Sequence, residues 1–368
     1  MNFLSLFKRS ILYKIKNKIN IDLDNVNRDT LDELFHYYGS DKANIFKKTQ
    51  NQGHGFSEFY TQHLKHLKQR EIKILEIGSY AGASASAFVK YFPNSKVYCF
   101  DINISKFIYY SKNIHVFSSD LRGHGKTAGN LNKVGFFNFK NGWDNVVKDI
   151  DLITKEYKQK NPTIPVFILG HSMGSLLARS LAIQYPKTGD GYLFSATSGH
   201  PGIKGVLGEP LAKLNGVLFG KKARSKLLDF LTLGDYNKKI KPKKTNKDWL
   251  TKDEKVVNQY INDPYCMQIF STQFFADLAD GVLRVNNLQR IIRMDVQKPI
   301  LLLSGDMDPV GNYGKGVKNV YDKFISAGLK KVSVKLFEGG RHEMLNETNR
   351  DEVYEFIYNW MEKHINND

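Results

Sequence analysis

In the first third of the chain a short apolar run, closed by glycine or aspartate, recurs between stretches of helical spacing. Ile72-Lys73-Ile74-Leu75-Glu76-Ile77 reads as a strand ended by Gly78, and small residues over 81–91 read as a helix. Residues 96–100 form a second strand closed by Asp101, and residues 114–117 a third closed by Asp120. Strands separated by helices imply right-handed βαβ crossovers and a parallel sheet. After Asp120 the texture changes to a glycine-rich loop, Arg122-Gly123-His124-Gly125-Lys126-Thr127, followed by a helix over 143–159 with Val146, Val147, Ile150 and Ile153 at helical spacing. Strands are predicted at 166–169, 191–195, 299–304 and 331–337, and helices at 176–185 and 351–365. Between about 199 and 295 no strand pattern occurs. That stretch is helical and basic, with ten Lys/Arg against two Asp between Lys221 and Lys247. The expectation is an α/β fold, a mostly parallel sheet flanked by helices, in two segments. Residues 1–120 carry Rossmann-like strands, and residues 121–368 a second sheet with a helical cap inserted at about 199–295.

Composition narrows the class. With 41% apolar residues and 12% aromatics in 368 positions, the chain can fill a sizeable core. Net charge is +17, of which residues 1–120 supply +6 (17 Lys/Arg, 11 Asp/Glu) and the remainder +11. Such a balance favours anionic surfaces. No basic and aromatic motif of a nucleic-acid reader is present, so nucleic acid is not expected, and the charge fits either peripheral contact with an anionic membrane or a Lys- and Asn-rich composition set by codon bias alone. Residues 1–20 hold five basic and no acidic side chains among spaced apolar ones, which fits either a solvated first helix or an amphipathic helix on an anionic membrane. Cys99 and Cys266 suit a reducing, cytoplasmic setting and provide no metal cluster. No transmembrane run occurs.

The candidate chemistry centres on Gly170-His171-Ser172-Met173-Gly174, set between the 166–169 strand and a helix. A serine on such a turn has its hydroxyl forced out at the top of the sheet. The flanking glycines are expected because a side chain would collide with the neighbouring strand or helix. Serine needs a base to take its proton and a third group to orient that base. His342 follows the last strand and a Gly339-Gly340 pair expected to be mobile. Asp306 and Asp308 both follow the 299–304 strand, and either can be the acid. His124 and His171, inside glycine-rich loops, are expected to be structural or to face substrate.

Asp120-Leu121-Arg122-Gly123-His124-Gly125 together with Gly-His-Ser-Met-Gly resembles the monoacylglycerol lipase and lysophospholipase group of α/β-hydrolases. Gly135-Phe136-Phe137, Asp248-Trp249-Leu250, Asp263-Pro264-Tyr265-Cys266 and Arg341-His342-Glu343 extend the likeness over roughly 250 residues. The resemblance implies a serine ester hydrolase that needs no cofactor, with Ser172, Asp308 and His342 as the triad. It also implies Met173 N–H as an oxyanion donor and a cap admitting one acyl chain. Upstream, Glu76-Ile77-Gly78-Ser79-Tyr80-Ala81-Gly82 with Asp101 resembles class I S-adenosylmethionine-dependent methyltransferases, as do Tyr38-Gly39-Ser40-Asp41-Lys42 and His54-Gly55-Phe56. That likeness implies a cofactor site at Glu76, Gly78 and Gly82, with Asp101 on the ribose and Asp120 by the adenine. Each likeness is partial. The later methyltransferase strands are absent, as is the hydrolase His-Gly loop that gives a second oxyanion donor. We therefore expect one merged sheet, with the 166–169 strand beside the 72–77 strand and the 78–83 loop near Ser172. Without a substitute donor, hydrolysis should be weak. The alternatives are an S-adenosylmethionine-binding protein and an inactive fusion.

Overall fold

A computed structural model describes residues 19–47, 51–77, 82–100, 108–117, 121–160, 162, 165–234 and 236–365. The chain forms two compact units, Met1–Asp120 and Leu121–Asp368. In the first, α1 (Leu31–Tyr38) starts with a reciprocal cap: Thr30 Oγ1 accepts the Glu33 N–H, and the Glu33 carboxylate accepts the Thr30 N–H. It buries Leu31, Leu34, Phe35 and Tyr38, one stripe at helical spacing. Helix α2 spans Phe56–Leu64, and β1 (Ile72–Ile77), β2 (Ser95–Phe100) and β3 (Ile114–Phe117) form a parallel sheet in the order β1-β2-β3. Helix α3 (Ala83–Tyr91) crosses between β1 and β2, and Phe35, Phe88, Phe92, Val97 and Cys99 make the core. Gly82 precedes α3 with φ 79°. The side chain of Glu76, together with Gly78, Asp101 and Asp120, lies outside the described residues, as does the amphipathic reading of residues 1–18.

The second unit holds α4 (Gly142–Lys160), β4 (Phe167–His171), α5 (Met173–Gln184) and β5 (Gly191–Ser195), then, after the cap, β6 (Ile300–Gly305). Its four strands are all parallel, in the order β7-β6-β5-β4, with β7 at Val332–Phe337. Side-chain alternation divides the core between two faces. Tyr192, Phe194, Ile300 and Leu302 pack with Val146, Leu177, Phe274 and Phe324 on one face. Leu193, Leu301, Leu303 and Phe337 pack on the other with Val353 and Trp360 of the last helix, Arg350–Ile365. Coverage on both faces is why β6 opens with four consecutive apolar residues, 300–303, and is buried at every position.

Between β5 and β6 the described residues hold no strand. Helices α6 (Gly202–Phe219), α7 (Lys226–Leu233), α8 (Glu254–Asn262) and α9 (Thr272–Val285) fill this stretch. Ser225, Asp253 and Ser271 cap the last three through their side-chain oxygens. Helix α9 packs on both α6 and α5 and carries Phe274 and Phe275 into the core.

The described ladders pair Phe167–His171 with Gly191–Ser195, and Ile72–Ile77 with Ser95–Phe100, each within its own unit. Helix α5 starts earlier than its apolar spacing suggests, directly after Ser172.

Candidate active site

Ser172 joins β4 to α5 with φ 52° and ψ −122°, a backbone state that non-glycine residues seldom adopt. Its surroundings hold it there. The Ser172 N–H donates to Ser195 O on β5 at 2.9 Å, and the Ser172 carbonyl accepts Ser175 Oγ at 2.6 Å. A Cβ on Gly170 would stand 2.3 Å from Gly174 O, so glycine there lets strand and helix close on the turn. A Cβ on Gly174 meets nothing within 4 Å, so the collision argument holds for Gly170 and fails for Gly174. The Met173 amide opens α5, where the first N–H groups have no intrahelical acceptor.

The two aspartates after β6 separate clearly. Asp306 Oδ1 accepts the Gly339 N–H at 2.8 Å and so ties down the turn beyond β7. Asp308 is fully buried, and its Oδ1 lies 3.0 Å from His342 Nδ1 while also accepting the Val310 N–H. Its Oδ2 accepts Ser304 Oγ at 3.1 Å. His342 is 2% exposed. Burial works against its protonated form, but the Asp308 charge and hydrogen bond, and then Glu343, outweigh burial and raise the imidazole's pKa. Among the described residues no hydrogen bond joins Ser172 Oγ to His342, a common state of hydrolase sites without substrate.

The loop bearing His342 is fastened rather than loose. The His342 and Glu343 N–H groups donate to Trp249 O and Leu250 O, and Arg341 Nη1 donates to Asp248 O at 2.6 Å. The buried Glu347 carboxylate accepts Thr251 Oγ1 at 2.9 Å and the N–H groups of Lys252 and Arg341. Gly340 is not the hinge its sequence suggests: the strand-end Gly305 approaches it so closely that a Cβ on Gly305 would lie 2.0 Å from Gly340 O. The pair permits close packing.

His124 lies away from this pair, its ring 5.5–5.9 Å from those of Phe137, Phe270 and Phe274. His171 lies beside His342, ring centres 4.9 Å apart. Its Nδ1 is 3.2 Å from Ser195 Oγ, and its Nε2 is 3.2 Å from Glu343 Oε1 but off the line of a hydrogen bond. Burial alone would raise the Glu343 carboxyl, yet His171, His342 and the Asn346 amide together hold it at about 2. Glu343 is the member of the site that pattern reasoning gave no role; its only signal was adjacency to His342. One donor atom from each of His171, His342 and Glu343 lies within 4.8 Å of the others.

Residues 110–349 match the family model described as serine aminopeptidase, S33. The chain is similar to a monoglyceride lipase homolog of Monkeypox virus, at 28% identity over 70% of this chain and 81% of the relative. It is similar to the monoglyceride lipase of Mus musculus at 25% identity over 63% of this chain and 67% of the relative. Among solved structures, the fold superposes on a thermostable carboxyl esterase from Bacillus coagulans with TM-score 0.62 and 26% identity, covering 81% of this chain and 91% of that one.

Proposed function

This chain belongs to the serine aminopeptidase S33 family and is a serine hydrolase of the α/β-hydrolase fold; from that premise we propose that it cleaves the ester of a monoacylglycerol or lysophospholipid. The observation that supports this most is a serine on a strained strand-to-helix turn whose sequence neighbour, His171, lies with its ring 4.9 Å from that of a histidine buried on Asp308. The monoglyceride lipases among the relatives supply the substrate class. Ser172 Oγ attacks the ester carbonyl while His342 Nε2 takes its proton, and Asp308 holds the imidazole through Nδ1. The Met173 N–H faces the developing oxyanion. Collapse expels the alcohol, which leaves with the proton from His342. Water deprotonated by His342 then frees the fatty acid from Ser172. Ester and one water supply every atom of the acid and alcohol, and Ser172 and His342 regain their starting protonation, so the cycle balances without a cofactor. A single oxyanion donor in place of two costs on the order of 3 kcal/mol, so turnover is slow unless another amide serves.

Such a substrate sits in a lipid surface, and the cap suits contact with one. Helices α6 and α7 expose Leu207, Val217, Leu218, Phe219, Phe230 and Leu231 beside the basic 221–247 stretch. We assign the protein to the periphery of an anionic membrane on the cytoplasmic side. No described helix is long and apolar enough to cross a membrane. S-adenosylmethionine binding rests on the sequence pattern alone and is not adopted. The test is labelling by a fluorophosphonate together with glycerol release from a monoacylglycerol. Wild type is expected to do both and Ser172→Ala neither; equal labelling of the two proteins would end this reading.

A further inference from the structure

Beside the His342–Asp308 couple stands a second acid–imidazole pair that the reaction above does not use. Glu343 follows the base in sequence, and its backbone N–H is fixed on Leu250 O at 2.7 Å. One carboxylate oxygen accepts the Asn346 amide at 3.1 Å, and the other lies 3.2 Å from His171 Nε2. His171 is anchored on its far side by Ser195 Oγ, and its ring rests against His342. The buried His171 Nε2 has no hydrogen-bond partner among the described residues, so the Glu343 oxygen at 3.2 Å is the polar atom beside it that the site provides. Two carboxylates thus stand near one catalytic imidazole, Asp308 by direct contact and Glu343 with a donor atom within 4.8 Å of it.

We infer that Glu343 is a positioning residue: it pins His171 against the His342 ring and places a second negative charge beside the imidazolium that forms as Ser172 attacks. The inference rests on the triad reading given above. The Glu343 and His171 side chains are about three-quarters buried and His342 almost fully, and a unit charge a few ångströms away in such a setting outweighs its effect in bulk solvent. Other titratable groups near the couple do not compete. Asp308 accepts from His342 directly. Tyr236 and Tyr313 sit in the field of Asp308, and burial pushes both phenols up, Tyr236 to about 12. Tyr260 and Cys266 sit in the field of Glu343, and burial pushes them to about 12 and about 11. All four stay neutral across the working range, which leaves Glu343 as the charged neighbour of His342 besides Asp308.

The sign follows. A negative neighbour favours the protonated imidazole, so its removal lowers the pH at which His342 becomes a free base. The acid limb of the kcat/KM profile then moves down. We expect Glu343→Gln to shift that limb on a water-soluble ester to lower pH by about one unit. Its plateau kcat should fall about tenfold, with KM within about twofold. Glu343→Asp, with its charge withdrawn by one methylene, should shift the limb the same way by less. His171→Gln keeps the Glu343 charge and should leave the limb at or above its wild-type position. A Glu343→Gln limb that coincides with wild type, however slow the enzyme, reduces Glu343 to packing and overturns the inference; so does an equal downward shift in His171→Gln. Should Glu343→Gln not fold, an unshifted limb in Glu343→Asp overturns it equally. Fluorophosphonate labelling of each variant, with Ser172→Ala as control, separates the two levels: labelling that survives loss of Ser172 removes the triad, whereas Ser172-dependent labelling with an unmoved limb removes only the role of Glu343.

Discussion

Two aspartates one residue apart, Asp306 and Asp308, end up with unlike partners. Both lie at the carboxyl end of a buried strand, so strand-end logic alone admits either as the acid. Asp306 spends its oxygen on the Gly339 N–H, while Asp308 is enclosed by Ser304, Val310 and His342. On the proposed triad, Asp308→Asn should lower kcat on a soluble ester by roughly 10⁴, because an amide cannot hold the imidazole in the working tautomer. Asp306→Asn should cost about 1 kcal/mol of stability for one weakened hydrogen bond and leave kcat near wild type. Steady-state kinetics beside urea denaturation of both variants checks the contrast, and equal kinetic losses would count against the assignment. The serine was legible at this scale because its requirement is local: a glycine before it, a strand behind and a helix ahead. Glu343 was not, because nothing in its spacing announces that residue 171 will stand beside it.

Strand β4 and helix α5 meet at a turn whose tightness depends on one glycine. At Gly170 a methyl group would press into the Gly174 carbonyl, backbone that cannot rotate away. At Gly174 the same methyl points into open space. Gly170→Ala is therefore expected to lose about 1–3 kcal/mol in chemical denaturation, with fluorophosphonate labelling reduced alongside. Gly174→Ala should be neutral or stabilising by up to about 1 kcal/mol, since alanine is the better helix former. A large loss in the second variant would contradict the geometry. The sequence pattern located both elements yet started the helix late, because apolar spacing speaks for the buried face, and the first turn of α5 serves the elbow instead. The Gly339-Gly340 pair misled in the opposite direction: it resembles a hinge, but the backbone of Gly305 packs against it.

For the whole molecule, charge and exposed apolar surface fall together on the cap. The net charge of +17 is spread widely, but the 221–247 stretch concentrates it beside the exposed side chains of α6 and α7. If this face docks on lipid, the double variant Phe219→Ser, Phe230→Ser should weaken co-sedimentation with vesicles containing an anionic phospholipid by at least tenfold, since a buried phenylalanine side chain is worth about 1.5–3 kcal/mol. Raising salt should weaken the wild type as well. Unaltered sedimentation would remove the membrane contact from the proposal.

What the chain determines on its own is whatever depends on near neighbours. Strand and helix periodicity, the serine elbow, the apolar first two-thirds of β6 and the strandless basic cap all follow from side-chain alternation and from steric demands within a few residues. Only the tertiary structure decided which aspartate faces His342, that Glu343 and His171 stand together, and which strands pair. Those outcomes depend on where parallel crossovers bring positions near 171, 308 and 343 together. That placement is set by packing the two faces of one sheet against helices distant in sequence, a sum over many contacts that no short window contains.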